Sequence, residues 1–171
     1  LNELKNAFGS LARALRFLRS HKDDSILQVV QKAKREDLLI FLALELFKQR
    51  TAFREMPPSF QRDIKVFFGS ITEARNEAHN LLFLISNEDE INKNCEKAAS
   101  EGLGYLWPKQ SLQVHTSLVE RLPPLLRVYV GCATILYGDV TSADLVKIHI
   151  TSGKFSLMRY DDFIEQPIPK L

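Results

Sequence analysis

The stretch LVKIHITSGKFSLMRY, residues 145–160, decides the fold class, because apolar and polar residues alternate on both sides of Ser152-Gly153. Alternation is typical of half-buried strands and the Ser-Gly pair favours a turn, so the stretch predicts a β-hairpin. Pairing Ile150 with Phe155 gathers the apolar residues on one face: Val146, Ile148, Ile150, Phe155 and Leu157. The other face then holds Lys147, His149, Thr151, Lys154 and Ser156. We predict a two- or four-residue turn, an apolar face packed on helices and an exposed basic face.

Before residue 138 the apolar residues follow the helical repeat instead. One face of a first helix, predicted to continue through Gly9, gathers Leu4, Phe8, Leu11, Leu15 and Leu18. A second helix is expected up to Lys34, and a third, apolar on nearly all sides, from Glu36 to Lys48 at the centre of the core.

Further helices are predicted from their start and stop signals. They begin at Pro57-Pro58, Thr72, Asn87, Ser111 and Pro123-Pro124. The one that begins at Ser111 is expected to end at Arg121, and Glu101–Tyr105 is expected to be a loop. The fold class predicted is mainly α: a multi-helix, bundle-like domain with a C-terminal β-hairpin packed on it, or α+β if the hairpin belongs to a larger sheet. We expect a helical domain over residues 1–140 and a hairpin with its tail over residues 141–171, the start of a further small β element.

Composition is that of an ordinary globular protein: 171 residues, 45% hydrophobic, with a net charge of +2. The charge lacks the strong basic excess of a nucleic-acid coat protein. Two distant cysteines favour a reducing compartment, and no apolar run reaches the ~20 residues of a membrane span. Because the chain begins at Leu1 and not at Met, we expect a segment of a longer protein.

No catalytic, cofactor-binding or metal-ligating residue is predicted in this chain. The four histidines lie in four different predicted elements, and no pair has the i, i+4 spacing of a helical zinc site. Gly102-Leu103-Gly104 follows no predicted strand and has no third glycine, so a loop is the better interpretation than a phosphate-binding turn.

Basic clusters are the remaining candidates, as possible nucleic-acid contacts: Arg13, Arg16 and Arg19 on the first helix, and Lys147, His149, Lys154 and Arg159 on the hairpin. Lysine and arginine neutralise phosphates. The competing interpretation is that these are solvated faces. Neither cluster is interleaved with aromatic residues that we predict to be exposed, so the sequence does not predict stacking of single-stranded bases.

Three stretches resemble a known family: REDLL at residues 35–39, LPPLLRVYVGCA at 122–133 running on to Asp139, and ADLVKIH at 143–149 continuing through Ser152-Gly153-Lys154 to Tyr160-Asp161-Asp162-Phe163. Together with Pro57-Pro58 and Asp63–Gly69, they are similar in order and spacing to the C-terminal region of the bacterial DNA phosphorothioation-associated methyltransferases. The second stretch is the most specific of them.

The resemblance implies a prokaryotic cytoplasmic protein of a DNA-modification defence system. Its parent would carry an N-terminal methyltransferase domain that uses S-adenosylmethionine, bound by a glycine-rich strand-to-helix turn. Val130-Gly131-Cys132-Ala133 lies inside a predicted helix and does not match that turn, so no catalytic residue of the family can be assigned here. The implied partners are DNA and the methyltransferase domain of the same parent; the oligomeric state is left open.

Three hypotheses follow. The segment is a non-catalytic module that positions DNA or the methylation target for the attached catalytic domain. Alternatively, it is a protein-interaction module that docks the methyltransferase domain or another defence component. An independent enzyme is the third hypothesis, and it requires a deep pocket with converging polar groups.

Overall fold

The computed structural model describes residues 6–21, 24–48, 55–138, 143–161 and 163. By its internal contacts the chain forms two compact units, Leu1–Glu36 and Asp37–Leu171. The division lies at a different place from the boundary after residue 140 that the sequence suggests.

The first unit contains helix α1, Leu11–His21, and the beginning of helix α2, Asp24–Lys48. The predicted continuous helix through Gly9 is wrong, because the chain bends at Gly9, whose φ is +73°. Ser10 then caps α1, its hydroxyl accepting a hydrogen bond from Arg13 N at 3.2 Å. The aromatic rings of Phe8 and Phe17 lie 5.2 Å apart between centroids.

Helix α2 is a single helix of 25 residues, so the two predicted helices that end at Lys34 and begin at Glu36 are one. Residues 33–37 are Ala, Lys, Arg, Glu and Asp, and neither a glycine nor a proline interrupts the hydrogen-bond ladder there. The boundary between the two units falls within this helix.

The next three helices follow their local signals: α3, Pro58–Phe68; α4, Ile71–Leu84; and α5, Glu88–Ser100. Pro58 lies in the first turn of α3, where its missing N–H has no cost. Ser70 caps α4 by accepting from Glu73 N, and Asn87 caps α5 by accepting from Asp89 N and Glu90 N.

Helix α6, Pro124–Tyr137, is buried on two sides. Leu126 and Val130 belong to a core cluster shared with α5 and the sheet. Val128 and Cys132 belong to a second cluster, shared with α3, α4 and the part of α2 after Asp37. The apolar helix at the centre of this unit is therefore α6.

A four-stranded antiparallel sheet, in the order β1-β2-β3-β4, completes the unit. The strands are β1, Tyr105–Trp107; β2, Ser111–His115; β3, Leu145–His149; and β4, Phe155–Met158. Two sequence predictions are wrong here, because Ser111–His115 is a strand and not a helix, and Tyr105 begins a strand. Thr116–Arg121 is a 3₁₀ helix.

The predicted hairpin is confirmed, with its register displaced by two residues. Ile148 pairs with Phe155 and Val146 with Leu157, and His149 N donates to Lys154 O across a four-residue turn. A shift of two leaves each side chain on its predicted face. The hairpin belongs to the larger sheet, so the chain is mainly α with a β part. Within the described residues, no helix is both long enough and apolar enough to cross a bilayer.

Candidate functional site

The register brings chemically distinct residues together on the face of the sheet that points away from its core. Directly paired residues of an antiparallel sheet share one face. One row across the sheet is Trp107, Ser111 and His149, followed by Lys154. The next row is Tyr105, Gln113, Lys147 and Ser156. We call these eight residues the outer face. On the opposite face, Leu112, Val114, Val146 and Ile148 are fully buried in the core, and Leu157 near the end of β4 is 40% exposed.

The outer face lies in the basic part of an acidic unit. Residues 37–171 contain 15 basic and 17 acidic residues, whereas the sheet segments 105–115 and 145–160 contain four lysines and arginines and no acidic residue. The four are Lys109, Lys147, Lys154 and Arg159. A neighbouring carboxylate in sequence, Asp144, accepts a hydrogen bond from Tyr160 N at 2.8 Å. Lys147 and Lys154 can therefore attract an anion locally although the unit carries net negative charge.

Two aromatic side chains project from β1 into this basic region. Tyr105 is 66% exposed and Trp107 is 52% exposed. Their rings meet edge to face with centroids 6.3 Å apart. Aromatic groups are normally buried, so an adjacent exposed pair on one strand is an unsatisfied apolar surface that a planar ligand can cover.

His149 lies between the aromatic residues and the cations. Its Nε2 is 3.0 Å from Ser156 Oγ. Partial burial of the ring, and then the charges of Lys147 and Lys154, lower the pKa of His149 below its ordinary value. The ring is consequently neutral near pH 7 and can exchange hydrogen bonds without adding a charge.

The two turns at one end of the sheet are tied together and to α6. Gln110 N donates to Trp107 O at 2.9 Å, which closes the β1–β2 turn, and Ile150 N donates to Gln110 O at 2.9 Å. The hydroxyl of Tyr129 on α6 donates to Lys154 O at 3.0 Å. These bonds fix the backbone from which Trp107 and Lys154 project.

The structure brings part of the predicted basic set together. Lys147, His149 and Lys154 share the outer face, with Lys154 exposed and the other two partly buried. Arg159 is exposed just after β4. Arg13 and Arg16 are exposed on α1 in the other unit, and the side chain of Arg19 lies outside the described part of the structure. That these residues contact nucleic acid stays a prediction.

The sequence interpretation missed Tyr105 and Trp107, because Ser111–Arg121 was assigned to a helix and no strand was left for Tyr105 to pair with. The missed signal is the alternation in SLQVH, residues 111–115, after Pro108-Lys109. The expectation that no exposed aromatic accompanies the basic hairpin residues is wrong, since Trp107 lies two strands from His149.

A cavity of about 440 Å³ lies between α2, α6 and the 3₁₀ helix. Ile40, Leu44 and Val130 contribute to a mainly apolar lining. Arg127 also lines the cavity, and its guanidinium group forms ion pairs with Asp37 at 2.8 Å and with Glu120 at 2.7 Å. This guanidinium is therefore already paired with two carboxylates, and Lys48 is the other cation among the residues that line the cavity.

Within the described residues, the buried thiols and the carboxylates form no further candidate site. Burial raises the pKa of Cys95 to about 12 and that of Cys132 to about 11, so both are protonated thiols at neutral pH. No group of three His, Cys, Asp or Glu residues in the described ranges is arranged to hold a metal ion.

Val130-Gly131-Cys132-Ala133 is a helical segment in the middle of α6 and does not form an S-adenosylmethionine loop. Comparisons of the chain with protein-family models, with curated proteins and with solved structures give no match.

Proposed function

We propose that this chain is a DNA-binding module whose outer face holds the DNA backbone and positions it for an attached methyltransferase domain. The observation that supports the proposal is the charge distribution: Lys147 and Lys154 lie on the outer face, none of whose eight residues is acidic, in a unit with 15 basic and 17 acidic residues. Phosphate groups are attracted by local rather than total charge, because screening limits electrostatic attraction to about 10 Å.

The arrangement of the cations favours a phosphate backbone over a single small anion. Lys147 and Lys154 lie on neighbouring strands in successive rows of the outer face. Rows are about 7 Å apart along a strand and strands about 4.8 Å apart. The two ammonium groups can therefore reach different phosphates of one chain, and the neutral Gln113 and Ser156 beside them can donate hydrogen bonds without repelling it.

The link to methylation rests on the resemblance of LPPLLRVYVGCA, residues 122–133, and of the stretches around it to the phosphorothioation-associated methyltransferases. Under this proposal the protein works in the prokaryotic cytoplasm. S-adenosylmethionine is bound by the methyltransferase domain of the parent protein, and this segment contributes DNA contacts and no catalytic group.

The proposal is tested by fluorescence anisotropy with a labelled duplex that ends in a single-stranded tail. At low ionic strength we expect saturable binding that weakens steeply as salt is added. Reversing Lys147, Lys154 and Arg159 together to glutamate should weaken binding about tenfold or more, because each phosphate contact is lost and a repulsion takes its place.

A matched control reverses Arg62, Lys65 and Lys97, which are exposed on α3 and α5. This variant has the same net charge as the first but an intact outer face, and it should bind nearly as the unaltered chain does. Equal losses in both variants would show a response to net charge alone, and no binding to the tailed duplex at low salt would refute the proposal.

A second candidate function is a docking module for the methyltransferase domain. It is favoured by the exposed apolar end of α6, where Leu136 is 66% exposed and Tyr137 is 75% exposed beside a cavity of about 180 Å³. Serine at both positions should then abolish co-purification with that domain and leave DNA binding intact. Unchanged co-purification of this variant would refute the docking function.

A further inference from the structure

We infer that the outer face binds unpaired nucleotides, with bases stacked on Tyr105 and Trp107 and phosphates directed toward Lys147 and Lys154. The inference deepens the proposed function, on which it rests, by naming single-stranded DNA as the ligand of the sheet. Its basis is the presence of an exposed aromatic pair and two lysines, Lys147 and Lys154, on one face of the sheet.

The width of the sheet argues against a duplex as the ligand of this face. Four strands about 4.8 Å apart span about 14 Å between the outer strand axes, before side chains are added. The major groove of B-DNA is about 12 Å wide and admits a helix or a two-stranded ribbon. A four-stranded face is too broad for it, and the minor groove is narrower still.

The aromatic pair has the exposure that base stacking requires. Tyr105 and Trp107 are two residues apart on β1, so both project from the same side of the sheet. About half or more of each side chain is open to solvent. Every base has a flat π-face, so this pair can accept unpaired bases with little dependence on sequence.

The positions of the cations match a nucleotide whose base lies on β1. From Trp107 the row passes Ser111, which is 2% exposed, and His149 before reaching Lys154. Small or neutral groups thus lie between the aromatic strand and the cationic strands. A base on Trp107, with phosphates of the same strand over β3 and β4, would cover this row without meeting a carboxylate of the outer face.

The charge pattern also favours single-stranded DNA over a protein as the ligand of the outer face. An exposed aromatic pair on an edge strand suits either an apolar protein surface or a base. Two lysines, Lys147 and Lys154, on a face whose eight residues include no carboxylate favour a polyanion, because a protein partner would have to bury or neutralise them. Only a polynucleotide supplies planar rings and phosphates together at regular intervals.

Trp107 provides the readout, since it is the single tryptophan of the chain. The full chain is titrated with oligo(dT) of about ten nucleotides, within the usual range of single-strand sites. We expect the tryptophan fluorescence to be quenched saturably. An abasic chain with the same number of phosphates should bind more weakly and quench little, because it has no bases to stack.

Variants are measured with labelled oligo(dT), since some of them lack tryptophan. Trp107→Ala and Tyr105→Ala should each weaken binding between about 5- and 150-fold, the usual effect of losing one stacked base. Trp107→Phe should restore most of the affinity. Phe83→Ala removes an aromatic residue of α4 that is 61% exposed and should have no effect.

The outcomes distinguish this inference from the proposed function. If the tailed duplex binds but oligo(dT) binds no better than the abasic chain, stacking is refuted and DNA binding stands. Stacking is refuted as well if Trp107→Ala and Phe83→Ala have equal effects, with circular dichroism confirming that both variants are folded. If neither the tailed duplex nor oligo(dT) binds, both ideas fail.

Discussion

His149 illustrates how single residues of the outer face respond to their surroundings. Its ring is partly buried and flanked by Lys147 and Lys154, which disfavour a second proton, and its Nε2 lies 3.0 Å from Ser156 Oγ. In the unfolded chain the same imidazole has a pKa of about 6.5. Protonation of this ring is therefore less favourable in the folded protein than in the unfolded chain. A bound phosphate would reduce this difference.

This difference predicts a loss of stability in acid. Above about pH 6.5 the ring is neutral in both states and contributes nothing to the pH dependence. As the pH falls below that value the unfolded chain takes up the proton first, so the free energy of unfolding decreases until the folded pKa is passed. Urea unfolding between pH 7.5 and 5 should show the decrease, and His149→Gln should show less of it.

Glutamine can still bond Ser156, so the comparison isolates the titration of the ring. Parallel pH profiles for the two proteins would mean that His149 has the same pKa in the folded and unfolded states.

At the scale of elements, β1 depends on a close approach to β2 just before Tyr105. A Cβ atom added at Gly104 would lie 2.5 Å from the carbonyl oxygen of Gln113 and 3.0 Å from Val114 Cγ2. The carbonyl oxygen of Gln113 belongs to the backbone, so no change of rotamer can move it away. A side chain at position 104 must therefore push β1 away from β2, and the aromatic pair would move with it.

We accordingly predict that Gly104→Ala destabilises the protein by about 1–3 kcal/mol, the usual cost of overpacking. It should also weaken oligo(dT) binding, because Tyr105 and Trp107 lose their position. Thermal unfolding and anisotropy measure the two effects.

Gly102→Ala is the matched control. An added Cβ there meets nothing within 4 Å, although the φ of +71° makes the substitution strained. It should lower stability by about 1 kcal/mol and leave oligonucleotide affinity nearly unchanged. Equal losses of affinity in the two variants would contradict the role given to Gly104.

At the scale of the whole second unit, α6 joins two cores into one. Leu126 and Val130 face the cluster with the sheet, and Val128 and Cys132 face the cluster with the helices. Loss of α6 would expose both clusters to solvent at the same time. The sheet and the helices of residues 37–171 should therefore unfold together.

We predict coincident unfolding curves for Trp107 fluorescence, which reports the sheet, and far-ultraviolet circular dichroism, which reports the helices. Leu126→Ala in one cluster and Ile64→Ala in the other should each lower the free energy of unfolding by about 2–5 kcal/mol. Both probes should shift equally in both variants. A variant that moves one curve and not the other would show two independent cores.

Features that depend on neighbouring residues could be predicted from the sequence. The helix starts at Pro58, Asn87 and Pro124 were predictable, because a cap or a first-turn proline acts within one turn. The start predicted at Thr72 is displaced, since Ser70 is the cap and the helix begins at Ile71. The faces of the β3–β4 hairpin were likewise predictable, because alternation assigns each side chain to a face even when the register moves by two.

The place of β2 in the sheet depends on contacts that are distant in sequence. In residues 111–121 the alternation of Leu112 and Val114 competes with the helical spacing of later apolar residues such as Leu118, and local pattern cannot choose between them. The choice comes from pairing Ser111 with His149 and Val114 with Val146, across more than thirty residues of chain. That distant pairing completes the sheet, and for the same reason it alone places Tyr105 and Trp107 beside the cations of the hairpin.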